Sequence, residues 1–170
     1  MDPSVNRIAL VDWDNDCIGT TRKILERMLA QREGLTDVPD KLFIKDARKY
    51  IGPGGGCLWG VRFDTSQRMR DKSVRGKGGR GVCPELVKRA RREFDRWGCQ
   101  RLKIVVSGGF DEEKIRDFEK NRVPVDAYGV GSKLLRHRID ITADIVEYEG
   151  RPCAKKGRKK ADWSKLTAVR

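Results

Sequence analysis

The stretch Leu102–Ile115, "LKIVVSGGFDEEKI", decides how this chain folds. Ile104–Val106 is a continuous apolar run without polar alternation, which fits a strand of a buried parallel sheet better than a half-exposed antiparallel one. It ends in Ser107-Gly108-Gly109, and Asp111 then offers a cap for a helix over 112–120, with Ile115 and Phe118 turned inward. One strand–helix unit later the pattern repeats in "VPVDAYGVGSKL", residues 123–134. An apolar run over 123–128 again gives way to small residues, Gly129-Val130-Gly131-Ser132.

Working outward, Arg7–Val11 reads as a short buried strand followed by the acidic cluster "DWDND". Residues 20–33 read as a helix, with Ile24, Leu25, Met28 and Leu29 at helical spacing, a cap at Thr20 or Thr21, and a stop at Gly34. "KLFIKDARKYI" fits a strand or a short helix, and "GPGGG" at 52–56 breaks it. Leu58–Phe63 is a strand ending in "DTS". Residues 66–82 are basic and glycine-rich and predict a mobile loop. Pro84 opens a helix reaching Trp97, with Leu86, Ala90, Phe94 and Trp97 on one face and Gly98 as its stop. "ITADIVEYEGRPCAKK" predicts a hairpin turning at Glu149-Gly150, and a basic tail follows. Strands alternating with helices predict an α/β fold on a parallel sheet. The expected division is residues 1–148 for this layer and 149–170 for the hairpin return and tail.

The 170-residue chain suits one domain. It carries 38 Lys+Arg against 25 Asp+Glu, a net charge of +13, and 38% hydrophobic residues. Such a balance points to an anionic partner, either nucleic acid or a phosphorylated small molecule, or to a basic solvated surface. Five cysteines at 17, 57, 83, 99 and 153 include no C-x-x-C pair, and there is a single His. No paired metal ligands at short spacing follow from that set. Neither a signal-type apolar segment nor a membrane-length apolar run occurs, so a soluble, cytoplasmic protein is expected.

In parallel α/β sheets, ligand chemistry gathers at the C-terminal ends of the strands. Those ends carry Asp12, Asp14 and Asp16; Asp64; Ser107, Gly108 and Gly109; and Gly129, Val130, Gly131 and Ser132. Glycine after a buried strand lets backbone N–H groups approach a phosphate, and the following helix start adds its positive end. Either turn taken alone is equally a tight connection; two in consecutive units favour a phosphate site. Arg62 and Asp64 flank Phe63 and share one face. They suit phosphate and sugar hydroxyls, or equally a structural ion pair.

Other readings carry less. "DWDND" opens like a calcium loop but has Cys17 and Lys23 where that loop needs Gly and Glu. The same cluster leaves a small D-x-D phosphatase as an alternative, with Asp12 as nucleophile, Asp14 as acid/base and Ser107 as phosphate ligand. The basic loop over 68–80 and the tail over 155–160 leave a nucleic-acid-binding module as a second alternative, although no aromatic residues interleave in the loop. His137 reads as an ordinary surface or packing residue.

"LWGVRFDTS", "VKRARREFDRWGCQRLKIVVSGGFDEEKI", "VDAYGVGS" and "TADIVEYEGRPCAKKGRK", in this order, resemble the nicotinate phosphoribosyltransferase family over most of residues 7–160. The resemblance implies a partial, half TIM-like α/β barrel of parallel strands with a C-terminal β-hairpin, equivalent to the C-terminal half of such an enzyme. It implies transfer of a phosphoribosyl group from phosphoribosyl pyrophosphate to nicotinate in NAD biosynthesis, with Mg²⁺ and ATP. Arg62 and Asp64 would face the phosphoribosyl group and pyrophosphate, Gly108 and Gly109 the ribose and its phosphate, and Gly129, Gly131 and Ser132 would complete the cradle. The family's enzymes are much longer, with the nicotinate-ring segments and the phosphorylated histidine upstream of the matched region. A truncated or split form is therefore expected, partnered in a homodimer or by a complementing N-terminal half. An open apolar face and two free sheet edges should follow.

Overall fold

The computed structural model describes residues 4–54, 57–74, 79–131, 133 and 146–152. Its elements run β1 (Arg7–Leu10), α1 (Cys17–Glu33), α2 (Asp40–Asp46) continuing into a 3₁₀ turn (Ala47–Tyr50), β2 (Leu58–Phe63), α3 (Pro84–Arg96), β3 (Lys103–Val106), α4 (Glu112–Lys120) and β4 (Ala127–Tyr128). The four strands form one parallel sheet in the order β1-β2-β3-β4. Neighbours in sequence are neighbours in space, with no reversal of strand order. Right-handed crossovers in such a sheet put all helices on one face, the winding of an α/β barrel rather than of a doubly wound sheet. The fold is thus α/β with parallel strands, as expected, but β4 is only Ala127–Tyr128 rather than 123–128, because Pro124 has no N–H for a ladder and the Asp126 side chain takes the Ile104 N–H at 2.8 Å.

Register shows which face is covered. Ala9, Val61 and Ile104 pair across the sheet, as do Phe63, Val106 and Tyr128. This face meets Leu25 and Leu29 of α1, Leu86, Val87, Ala90 and Phe94 of α3, and Phe118 of α4 in the core. The other face is crossed by Ile8, Gly60 and Lys103, and by Leu10, Arg62, Val105 and Ala127. There Ile8 and Leu10 remain 47% and 49% exposed. Continuous apolar strands predict cover on both faces; among the described residues only one face is covered, because every helix winds to the same side.

Local chemistry fixes the element ends. α1 starts at Cys17, earlier than the expected Thr20, because the Asp16 side chain caps it by accepting from the Gly19 N–H at 2.9 Å. Thr21 is buried inside the helix instead, its hydroxyl donating to the Cys17 carbonyl at 2.7 Å. Gly34, at φ 65°, closes α1 with its N–H on the Ala30 carbonyl. "DKLFIKD" is a helix, and its Phe43 ring meets Trp97 edge-on at 5.5 Å. α3 begins on Pro84, whose fixed φ suits the first helical position.

Of the loop after β2, read from composition as mobile, residues 66–74 and 79–82 are anchored, and residues 75–78 lie outside the described residues. Asp71 is 1% exposed, and its carboxylate accepts from the Cys17 N–H at 2.8 Å and from the Ser73 N–H at 2.8 Å. Lys72 N–H donates to the Asn15 carbonyl at 2.7 Å, and Gly81 N–H to the Met69 carbonyl at 2.8 Å. Val74 and Val82 are buried. A buried carboxylate at the first turn of α1 satisfies the Cys17 N–H and anchors the loop there.

The chain divides into two compact units, Met1–Arg136 and His137–Arg170. In the second, β5 (Glu147–Tyr148) and β6 (Arg151–Pro152) pair antiparallel. Glu149 and Gly150 turn between them at φ 48° and 74°, the left-handed pair that a two-residue hairpin turn needs. No helix among the described residues is long and apolar enough to cross a membrane. Ser132, His137 and the tail at 155–160 lie outside the described residues.

Candidate functional site

All four strands end at the same edge of the sheet, and that edge gathers the polar side chains. Arg62 and Asp64 lie on the open face, with Arg62 Nη2 4.0 Å from Asp64 Oδ2 and both side chains partly exposed. The long separation leaves both groups able to take other partners. Asp12 lies two residues beyond Leu10, as Asp64 lies two beyond Arg62, and Leu10 and Arg62 are paired. Asp12 Oδ1 is buried with no hydrogen-bond partner. An unsatisfied carboxylate oxygen in that position is costly unless something fills its coordination.

The first glycine turn leans directly on this pair. Ser107 N–H donates to the Phe63 carbonyl at 2.8 Å, extending the β2–β3 ladder to the strand ends. Gly108 follows at φ 87° and Gly109 at φ 73°, backbone that other residues adopt only with strain. A Cβ on Gly108 would stand 3.0 Å from Asp64 Oδ1 and 3.4 Å from the Thr65 carbonyl oxygen. One on Gly109 would collide with the amide end of Gln67. Asp111 then caps α4, accepting from Lys114 N–H at 3.0 Å.

The second turn is glycine for different reasons. Gly129 N–H donates to the Val106 carbonyl at 2.7 Å, and a Cβ there would press on Ser107 Cβ at 3.0 Å. Gly129 therefore allows the two turns to touch. Val130 is half-buried and packs on the core. Gly131 has neither a left-handed φ nor any atom within 4 Å of a would-be Cβ. Neither backbone conformation nor packing among the described residues explains a glycine at that position, which leaves open space against bare backbone. Lys133 Nζ lies 3.8 Å from Asp111 Oδ2, tying the second turn to the cap after the first.

The structure thus brings Arg62, Asp64, Ser107, Gly108, Gly109, Gly129, Val130 and Gly131 to one end of the sheet. Asp14 is exposed and Asp16 is used as a helix cap. Three contributors are not visible in the sequence pattern: Asp12's unpartnered oxygen, Gln67 against the Gly109 turn, and Lys114. The Lys114 ammonium is turned inward, 3.5 Å from the Gly108 carbonyl oxygen and 4.2 Å over the Phe110 ring. Its loss of solvent lowers its pKa, while Cys83 and Asp111 nearby oppose that shift. A lysine in the first turn of a helix, against the macrodipole, is the signal that could have drawn attention to it.

One group implied for the site, Mg²⁺, can be weighed against these residues. Mg²⁺ bound alongside phosphates keeps several waters and takes only one or two carboxylates. Asp12, with its orphaned oxygen, and Asp64 fit that demand. Among the described residues there is no cluster of three or more His, Cys, Asp or Glu side chains that could hold a metal without substrate.

Against known sequences, the chain is 29% identical over 150 positions to nicotinate phosphoribosyltransferase pncB1 of Mycobacterium tuberculosis, covering 81% of this chain and 33% of that protein. With pncB2 of the same organism it shares 32% identity over 95 positions, 54% of this chain and 19% of that protein. The chain is thus similar to nicotinate phosphoribosyltransferases over part of their length. It spans about a third of the length of pncB1. Among solved structures it is similar to nicotinate-nucleotide pyrophosphorylase from Pyrococcus furiosus, at 31% identity and a TM-score of 0.47, over 95% of this chain and 32% of the other. No family model matches it. The phosphoribosyltransferase-like segment includes the strand ends that carry Arg62, Asp64 and both glycine turns, as the four quoted motifs led one to expect.

Proposed function

We propose that the strand ends bind phosphoribosyl pyrophosphate, and that the chain serves nicotinate phosphoribosyl transfer in NAD biosynthesis. The observation that carries this reading is the Arg62–Asp64 pair set against two glycine turns at one end of a parallel sheet. Arg62 supplies fixed positive charge for a pyrophosphate group, and Asp64 accepts from sugar hydroxyls. The N–H groups of Gly108, Gly109, Val130 and Gly131 cradle the 5-phosphate, with Ser132 joining them by resemblance, while those of Ser107 and Gly129 are held in the sheet ladder. Loss of pyrophosphate leaves positive charge at the sugar carbon, so the residues act by positioning and charge complementarity rather than by covalent chemistry. Asp12 and Asp64 would hold Mg²⁺, which when bound screens the negative charge of the departing pyrophosphate. ATP and a cytoplasmic location belong to the same reading by resemblance.

Nicotinate and a complete barrel require more than this sheet. Among the described residues β1 and β4 are the edges of the sheet, where further strands add, from a complementing N-terminal half or, in a homodimer, from a second copy, and closure would cover Ile8 and Leu10. The net charge of +13 opposes close pairing of two copies and favours the complementing half.

Thermal shift tests the reading. Phosphoribosyl pyrophosphate with Mg²⁺ at a hundred times its Kd should stabilise the chain by about 2.7 kcal/mol. Ribose should not, and Arg62→Ala should lose the effect. Stabilisation by DNA or RNA oligonucleotides, with none by phosphoribosyl pyrophosphate, would transfer the basic surface to nucleic-acid binding.

A further inference from the structure

We infer that Lys114 is a positioning residue for the phosphate cradle, acting through the Gly108 carbonyl rather than by touching ligand; the inference rests on the phosphate-binding reading above. Most lysines on a charged chain extend into water. Lys114 instead folds back from the first turn of α4, with Nζ 3.5 Å from the Gly108 carbonyl oxygen and above two aromatic rings, 4.2 Å from the Phe110 centroid and 6.0 Å from that of Phe118. Phe110 and Phe118 themselves stack edge-on at 4.9 Å, so the platform under the ammonium is rigid. A cation at that point of a helix opposes the macrodipole and loses hydration. Helix stability alone does not call for it.

What the position does serve is the peptide that joins Gly108 to Gly109. A peptide plane carries its C=O and N–H on opposite sides. A charge holding the Gly108 carbonyl toward α4 therefore aims the Gly109 N–H the other way. Both glycines sit in the left-handed region at φ 87° and 73°, where no Cβ restricts them, and a glycine pair is free to flip its shared peptide. Lys114 removes that freedom. Asp111 secures the other side of the same turn, capping α4 and reaching Lys133 from the second turn.

The test is calorimetric binding of phosphoribosyl pyrophosphate with Mg²⁺ to the full chain as wild type, Lys114→Met and Lys114→Arg, with urea unfolding of each. Methionine keeps the aliphatic stem over the two rings and removes only the charge. Loss of one charge–carbonyl interaction predicts about tenfold weaker binding in Lys114→Met. Lys114→Arg should recover most of it, and the urea midpoint of Lys114→Met should not fall below that of the wild type. A purely structural lysine would show the reverse, a lower midpoint and the same affinity. Equal affinity of wild type and Lys114→Met overturns the inference while leaving the phosphate site intact. No binding by the folded wild type overturns the reading on which it rests.

Discussion

Gly108→Ala isolates the coupling between the first glycine turn and Asp64. Gly108 sits at φ 87°, and an added Cβ would lie 3.0 Å from Asp64 Oδ1 and 3.4 Å from the Thr65 carbonyl oxygen, so Asp64 must give by a few tenths of an ångström. Left-handed backbone costs alanine about 1–2 kcal/mol, and a stiffer unfolded chain returns about 0.4–1 kcal/mol. With the crowding added, the net loss should be about 1–3 kcal/mol, or roughly 3–8 °C in Tm. Gly34→Ala is the matched control, since Gly34 has φ 65° but nothing within 4 Å of its Cβ. It should lose only the backbone-strain part. The assay is thermal unfolding of both variants alongside phosphoribosyl pyrophosphate binding. Gly108→Ala should lose more stability than Gly34→Ala and should also bind more weakly. Equal destabilisation of the two, with unchanged binding by Gly108→Ala, would refute the coupling.

Further outcomes follow from other positions. Gly131→Ala meets no steric or backbone conflict among the described residues, so its stability should match the wild type within about 0.5 kcal/mol while phosphoribosyl pyrophosphate affinity drops; an unchanged affinity removes Gly131 from the cradle. Asp71→Ala strips the buried carboxylate from the Cys17 and Ser73 N–H groups and should cost about 2–4 kcal/mol in urea unfolding, with faster proteolysis in the 66–82 loop. Lys114 has a pKa below the ordinary lysine value of 10.5 in the folded chain, chiefly through desolvation, with Cys83 and Asp111 pulling the other way. The native state then releases this proton before the unfolded state does, so wild-type stability should gain on Lys114→Met as pH rises from the folded pKa toward 10.5; a constant difference across that range, read from urea midpoints, contradicts the burial argument.

The sheet was legible because its strands are unusually apolar and their punctuation is strong. Ile104–Val106 before Ser-Gly-Gly, and Leu58–Phe63 before Asp64, leave little choice of element or direction. The start of α1 was misplaced because Thr20 and Thr21 look like caps, whereas Asp16 is the better acceptor and Thr21 is consumed inside the helix. The anchoring of residues 66–74 was hidden for a tertiary reason: a basic, glycine-rich composition says nothing of one buried aspartate meeting the N-terminus of α1. At the site, Arg62, Asp64 and the glycines could be read from alternation and turn chemistry. Asp12's orphaned oxygen and the inward lysine at 114 could not, since both depend on which neighbours the folded chain brings near.

The proposed phosphoribosyl-phosphate site at the ends of β1–β4 meets its most direct test in titration calorimetry of phosphoribosyl pyrophosphate with Mg²⁺ into wild type and Gly109→Val, each verified as folded. The added side chain would meet Gln67 and fill the backbone approach at φ 73°. Saturable one-to-one binding by wild type is expected, with a loss of at least about tenfold in the variant. Absence of binding by the folded wild type, or identical binding by both proteins, would contradict it.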